Sequence, residues 1–293
     1  MNRETSRGKA TVTEMCEQFR ISRAAYYAAG REPSSPAPQP PRPERQGEWA
    51  TYEELEKGIR SVVKDHPAWG VRKVWAVLRR RKLVASHKRV WAVMHELGLV
   101  LPPVSEREYP GRRGHVTVPG SNRRWATDLT TAWTRKDGWV AIAPVVDCGD
   151  RYLLGIHATK SQEAPAVLTP LRQALLEQFR TPSSVPDGLE LRTDNGPQYT
   201  SAECEALART WGVTQTFAPP GRPTGNAVAE RLIQTLKLEL IWVHDWDSLE
   251  ELAQALRAWA AEYNHRRPHQ ALAWRTPAEQ REANLAGARA EAA

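Results

Sequence analysis

The stretch WATDLTTAWTRKDGWVAIAPVVDCGDRYLLGIHAT, residues 125–159, decides the fold class. It holds three strand-length runs rich in Val, Ile, Thr and aromatic residues: Trp125–Trp133, Trp139–Asp147 and Tyr152–Thr159. Short turns at Lys136-Asp137-Gly138 and Cys148-Gly149-Asp150 join them, so successive runs pair antiparallel. Downstream the periodicity changes. Residues 163–179 carry Val167, Leu168, Leu171, Leu175 and Leu176 at helical spacing. Leu189–Thr193 reads as a strand, 201–211 as a helix and Thr214–Phe217 as a strand. After the turn-rich Pro219–Gly225, one helix is predicted from Asn226 to Val243 and another over 248–264. Antiparallel strands followed by alternating helices and strands predict an α/β domain with a mixed sheet.

Outward from this core, the chain divides by composition. Residues 1–30 read as a small helical segment, with Met15, Phe19 and Ile21 apolar and Ser22 placed to cap a turn carrying Tyr26 and Tyr27. Residues 31–49 are a Pro-rich linker. Residues 50–100 resume helical periodicity: a helix from Thr51 to Asp65, a break at His66-Pro67-Ala68-Trp69-Gly70, a helix from Val71 to Lys82 and one from Ser86 to Leu97. Two short helices around a tight connection, bearing Arg72, Lys73, Lys88 and Arg89, suit a helix-turn-helix-like DNA-binding region. Residues 101–124 form a second linker, 125–243 the α/β core, and 244–293 a C-terminal helical extension. Trp125, Trp133 and Trp139 are expected to pack the sheet, and Trp242 and Trp246 to be core or interface.

Charge follows the same division. The 293 residues carry a net charge of +7. Residues 1–124 hold 24 Lys/Arg against 13 Asp/Glu, and the rest hold 17 against 21, so a basic part precedes an acidic one. A basic surface favours a polyanion partner, because each cation placed on a phosphate releases counterions. With 41% apolar and 26% charged residues, wholesale disorder is excluded. No apolar run is long enough to span a membrane. Cys16, Cys148 and Cys204 form neither a disulfide framework nor a CxxC zinc site and fit a reducing, cytoplasmic setting.

Three acids stand where chemistry would use them. Asp128 lies inside the first predicted strand, Asp194 at the end of a later one in RTDNGPQY, and Glu230 in the first turns of the helix that begins at Asn226. An uncompensated acid at the middle of a central strand is costly. Carboxylates converging from two strands and a crossing helix would suit two Mg²⁺ or Mn²⁺ ions, which take oxygen ligands and serve phosphodiester displacement. Asn226 and Lys237 lie on the same helical face as Glu230, near enough to steady a carboxylate or meet a DNA phosphate. Gly196 is expected to supply a backbone shape that other residues resist.

These residues resemble the DDE triad of the retroviral-integrase superfamily. Thirty-five residues separate Asp194 from Glu230. The chain is similar to the second-frame (OrfB-type) transposases of the IS-three group of insertion sequences. Trp69-Gly70-Val71-Arg72-Lys73-Val74 and Lys88-Arg89-Val90 resemble that group's helix-turn-helix region. Its catalytic blocks are matched by Trp125-x-x-Asp128-x-Thr130, Thr193-Asp194-Asn195-Gly196 and Asn226-Ala227-x-x-Glu230-x6-Lys237. The run Arg267-Pro268-His269, followed by Thr276-Pro277-Ala278-Glu279, matches its C-terminal signature. The resemblance implies an RNase H-like fold, two divalent ions held by Asp128, Asp194 and Glu230, and DNA cutting and joining. It also implies a homo-oligomer and an upstream-frame DNA-binding partner. Arg267 and His269 are further candidates for DNA contact. A metal-dependent nuclease of the same fold and a non-catalytic DNA-binding regulator are the alternatives. Asp147 is followed by Cys148-Gly149-Asp150-Arg151, where the group commonly carries Ser-Arg.

Overall fold

The computed structural model describes residues 49–102, 118–218 and 226–292. The helical segment expected over 1–30, most of both linkers and the turn at Pro219–Gly225 lie outside the described residues.

Three helices come first: α1 (Tyr52–Asp65), α2 (Val71–Arg80) and α3 (His87–Glu96). Thr51 and Glu54 cap α1 reciprocally. Thr51 Oγ1 accepts the Glu54 N–H at 3.2 Å, and Glu54 Oε2 accepts the Thr51 N–H at 2.7 Å. Ser86 caps α3 by accepting the Arg89 N–H at 3.2 Å. Leu55, Ile59, Val74, Leu78, Val90 and Met94 fill the space between the three helices and are fully buried.

The sheet is built around β3 (Gly138–Asp147). On one edge it pairs antiparallel with β4 (Leu153–Thr159). On the other it pairs with β1 (Arg124–Thr127) and β2 (Thr130–Thr134), which lie end to end. β5 (Glu190–Thr193) runs parallel to β1, and β6 (Thr214–Phe217) parallel to β5, which completes the mixed sheet.

The first predicted strand is thus interrupted at Asp128 and Leu129, and a proline explains the gap. Thr127 faces Val145 and Thr130 faces Ile142, a single continuous register that sets Asp128 opposite Pro144. The Cys148 N–H donates to the Arg124 carbonyl at 2.8 Å. Donors toward this edge recur every second residue along β3, so the next are Val146 and then position 144. Proline has no N–H to give there.

Helices cover both faces. Ala126, Val140 and Ile142 pack against Leu232 and Leu236 of α7 (Ala227–Glu239) and against Leu252, Leu256 and Trp259 of α8 (Leu249–His265). On the opposite face, Trp125, Ala143 and Val145 meet Leu171 and Leu175 of α5 (Thr169–Phe179) and Cys204 of α6 (Ala202–Thr210). The single helix predicted over 163–179 is two, α4 (Ala164–Val167) and α5, because Pro170 lacks the N–H that would bridge them. The predicted helix Asn226–Val243 ends as α-helix at Glu239 and finishes in a 3₁₀ turn, Ile241–Val243.

Of the tryptophans expected in the sheet, Trp125 is 1% exposed, but Trp133 and Trp139 are 54% and 63% exposed and pack edge to face against each other. They share the face of Ala143 and Val145, beyond the reach of α5 and α6 among the described residues. Trp246 is core, whereas Trp242 is 66% exposed.

The last helix, α9 (Pro277–Ala292), is tied back through Arg281. Its guanidinium donates to Asp147 at 3.2 Å and Asp150 at 2.8 Å, and also to Asn122 and Gln178. Both acids are fully buried. Burial, then the neighbouring Asp150 charge, pushes the Asp147 carboxyl up to about 6 against the pull of two backbone N–H groups and Arg281.

Candidate catalytic site

Asp128 occupies the two-residue gap between β1 and β2 and is half-buried, with Oδ1 accepting the Leu129 N–H at 2.8 Å. Asp194 follows the last residue of β5. Glu230 lies in the first turn of α7 and is exposed.

One residue knits these three elements together. Thr127, directly before Asp128, accepts a hydrogen bond at its carbonyl from Asn226 Nδ2 at 3.0 Å. Its hydroxyl lies 3.2 Å from the Tyr199 hydroxyl. Asn226 opens α7, and Tyr199 closes the loop that begins at Asp194. All three groups are buried, so the bonds are made away from competing water. Asn226 Oδ1 is buried with no hydrogen-bond partner among the described residues.

The loop after β5 is held as an Asx turn, with Asp194 Oδ1 accepting the Gly196 N–H at 3.0 Å. Gly196 does not take a positive φ, so the close packing of this turn, and not backbone shape, is what a larger residue would disturb. A Cβ at this position would lie 2.8 Å from Gln198 Nε2 and 3.0 Å from Asp194 Oδ1. The expectation of a special backbone shape is thereby corrected.

Electrostatics mark Asp128. Burial raises its carboxyl to about 6, and the charges of Asp194 and Glu230 add to the rise, while the Leu129 N–H and the Lys237 ammonium oppose it. Burial also raises the Glu230 carboxyl. Asp128 therefore lies within the field of both Asp194 and Glu230, and within that of the Lys237 ammonium. Such a set offers only oxygen ligands, which suit a hard divalent cation. Among the described residues no group of three or more His, Cys, Asp or Glu is arranged to hold a metal ion. Magnesium does not need such a cage, because one or two carboxylates per ion suffice when water and phosphate fill the other positions.

The other sequence-selected residues separate into two sets. Arg72 and Lys88 are exposed and Arg89 is half-buried on the three-helix unit. Lys73, Arg267 and His269 turn inward. Glu239 accepts Lys73 Nζ at 2.8 Å and two Arg267 nitrogens at 2.9 Å each. His269 lies against Arg267 and the edge of Tyr263. Burial, then Arg267 and Lys73, hold its imidazole down at about 2, so it is neutral at any working pH. Sequence reasoning gave no role to Thr127 or Tyr199, although Tyr199 stands in the same run as Asp194.

An HTH-like domain family matches residues 51–107, and two integrase core domain families match residues 119–223 and 211–277. The chain is 28% identical over 287 residues to the transposase for insertion sequence element IS629 of Shigella sonnei, covering 94% of this chain and 93% of that protein. It is 29% identical over 232 residues to the transposase InsD for insertion element IS2D of Escherichia coli, covering 75% and 76%. Among solved structures, the simian T-cell lymphotropic virus intasome aligns at 18% identity and TM-score 0.48 over 78% of this chain and 74% of that one.

An integrase core domain that follows an HTH-like domain defines a DNA-binding, metal-dependent class of enzyme. The chain carries an integrase core domain after an HTH-like domain and is homologous to insertion-sequence transposases, which are polynucleotidyl transferases. No described helix is long and apolar enough to cross a membrane.

Proposed function

We propose that Asp128, Asp194 and Glu230 are the triad with which this transposase cuts and joins DNA at the ends of an insertion sequence, holding two magnesium ions. The observation that carries this reading is the knot at Thr127, which fixes the strand of Asp128, the loop of Asp194 and the helix of Glu230 to one another. When bound, the ion pair supplies positive charge on both sides of the phosphorus, activating the attacking oxygen and stabilising the leaving one.

The chain's own residues do the rest. Asp128 and Asp194 would hold the ions at the C-terminal ends of the interior strands β1 and β5, and Glu230 would complete the set from α7. Asn226 fixes the start of α7 against β1, so Glu230 cannot drift from Asp128. Lys237 meets the substrate phosphate backbone beside the carboxylates. Water is the nucleophile in the first cut, and the freed 3′-hydroxyl attacks target DNA in line in the second step. Arg72, Lys88 and Arg89 grip element-end duplex. Assembly as a homo-oligomer, cooperation with an upstream-frame DNA-binding protein and a location with the nucleoid in the cytoplasm complete the reading.

The test is cleavage and strand transfer on an element-end duplex with magnesium. Asp128→Asn, Asp194→Asn and Glu230→Gln should each abolish both reactions while retaining DNA binding in a gel shift. Wild-type-like joining by any one overturns the assignment. Cleavage without joined product by the wild-type chain would instead favour a nuclease.

A further inference from the structure

Past the C-terminal end of α7 stands an aromatic side chain that the mechanism above does not use. Trp242, in the 3₁₀ turn that follows α7, is 66% exposed. Among the described residues its ring has one partner, the Lys237 ammonium, 5.8 Å from the ring centroid. Leu238 and Val243 next to it are each 45% exposed, so the indole belongs to an apolar patch that the fold leaves in water.

Lys237 locates this patch. It lies on the face of α7 that carries Glu230, seven residues along, or about 10 Å of helix. Its charge is felt at Asp128. The same ammonium therefore touches both the Trp242 ring and the field of the catalytic acids. An indole face with a cation at its side offers an aromatic platform and a phosphate contact together. That pairing is how proteins hold a single-stranded nucleotide, since every base has a π-face and every nucleotide a phosphate. A duplex rises about 3.4 Å per nucleotide along a strand. A base on Trp242 would thus lie within a few nucleotides of the scissile phosphate.

We propose that Trp242 is a positioning residue that stacks on an unpaired nucleobase of the substrate DNA flanking the cleavage site, while Lys237 holds that nucleotide's phosphate. The proposal rests on the triad reading above and deepens it. Unstacking a terminal base costs a few kcal/mol, and the indole returns part of this by replacing the lost neighbour. Trp139 makes a matched control, because it is as exposed as Trp242 (63%) but lies on the sheet's opposite face, paired with Trp133.

The experiment places 2-aminopurine, a fluorescent adenine analogue, at successive positions around the cleavage site of an element-end duplex. The full-length chain is bound to it with calcium in place of magnesium. With wild-type protein, fluorescence should change at one or two adjacent positions within a few nucleotides of the cut, as the base leaves its stack and meets indole. Trp242→Ala should abolish that change and raise KM for the DNA end about tenfold or more with a smaller fall in kcat, whereas Trp242→Phe should retain most of both. Trp139→Ala should behave as wild type. Pre-unpaired ends should rescue Trp242→Phe fully and Trp242→Ala only partly.

An unchanged fluorescence pattern and KM in Trp242→Ala would overturn the proposal, as would an equal loss in Trp139→Ala. Either result leaves the triad reading intact if Asp128→Asn, Asp194→Asn and Glu230→Gln are inactive. Activity in those three variants would instead overturn the triad reading.

Discussion

At the scale of single residues, Asp128 turns its location into a pH dependence. Folding raises its carboxyl from 3.8 to about 6, so the fold prefers the protonated form. A folded-state pKa above the unfolded one contributes stability that is complete below about pH 4 and lost as pH rises through about 6. In metal-free protein at pH 7.5, the ionised Asp128 is therefore a burden. Asp128→Asn is expected to be more stable there by on the order of 1 kcal/mol after allowance for solvent screening. At pH 4 the two should be equal. Thermal denaturation in EDTA across this range checks it, and a wild type more stable than the Asn variant at pH 7.5 would contradict it. Magnesium competes with the same proton, so its affinity should fall steeply below about pH 6. Calorimetry at pH 6 in buffers of different ionisation enthalpy should show proton release on binding.

At the scale of elements, α7 serves two ends. Its first turn carries Glu230, and its last residue, Glu239, receives Lys73 from α2 and Arg267 from the segment after α8. Burial works against a charged Glu239, but the two cations outweigh it and hold the carboxyl below its usual range. Removing one member of such a cluster leaves buried charge unpaired, which costs about 3 kcal/mol. Glu239→Ala should thus lower Tm by roughly 6–10 °C. It should also reduce strand transfer, because it loosens the helix that positions Glu230. Glu239→Gln should cost less. An unchanged melting curve for Glu239→Ala would remove Glu239 from this role.

Much of this was legible in the sequence, because strand and helix periods are local signals. Asp128, Asp194 and Glu230 could be picked from their positions in those elements. What escaped depends on pairing across the chain. Pro144 opens the gap at Asp128 only because it falls opposite in the register, and no local pattern shows that. Thr127, Tyr199 and Asn226 meet across 72 and 99 residues of sequence. Lys73 looked like a surface cation because its partner Glu239 is 166 residues away. The break at Pro170 was local and readable, and the apolar spacing on both sides of it masked it.

At the scale of the whole molecule, part of the basic charge of the first part holds the protein together, and the rest is what the proposed function assigns to DNA. Lys73 is committed to Glu239, and Arg80 pairs with Glu279 at the start of α9. These contacts dock the three-helix unit on the integrase core and spend charge that composition alone would assign to a polyanion. Arg72 and Lys88 stay exposed and free of ion pairs among the described residues, and Arg89 is half-buried. The two groups should separate in a salt titration. Each phosphate contact contributes about 0.9 to the slope of log K against log salt. A variant carrying Arg72→Ala and Lys88→Ala should lose up to about 1.8 from that slope, with little change in Tm. Lys73→Ala should do the reverse, lowering Tm while leaving the slope nearly unchanged, because its charge is already neutralised by Glu239. Fluorescence anisotropy of an end-sequence duplex between 50 and 200 mM salt, about the range over which such contacts show, measures both slopes. A slope flattened as much by Lys73→Ala as by the double variant would mean that Lys73 leaves Glu239 to meet DNA. The dock between helices and core would then open on binding, and the HTH-like region would be coupled to Glu230 through α7.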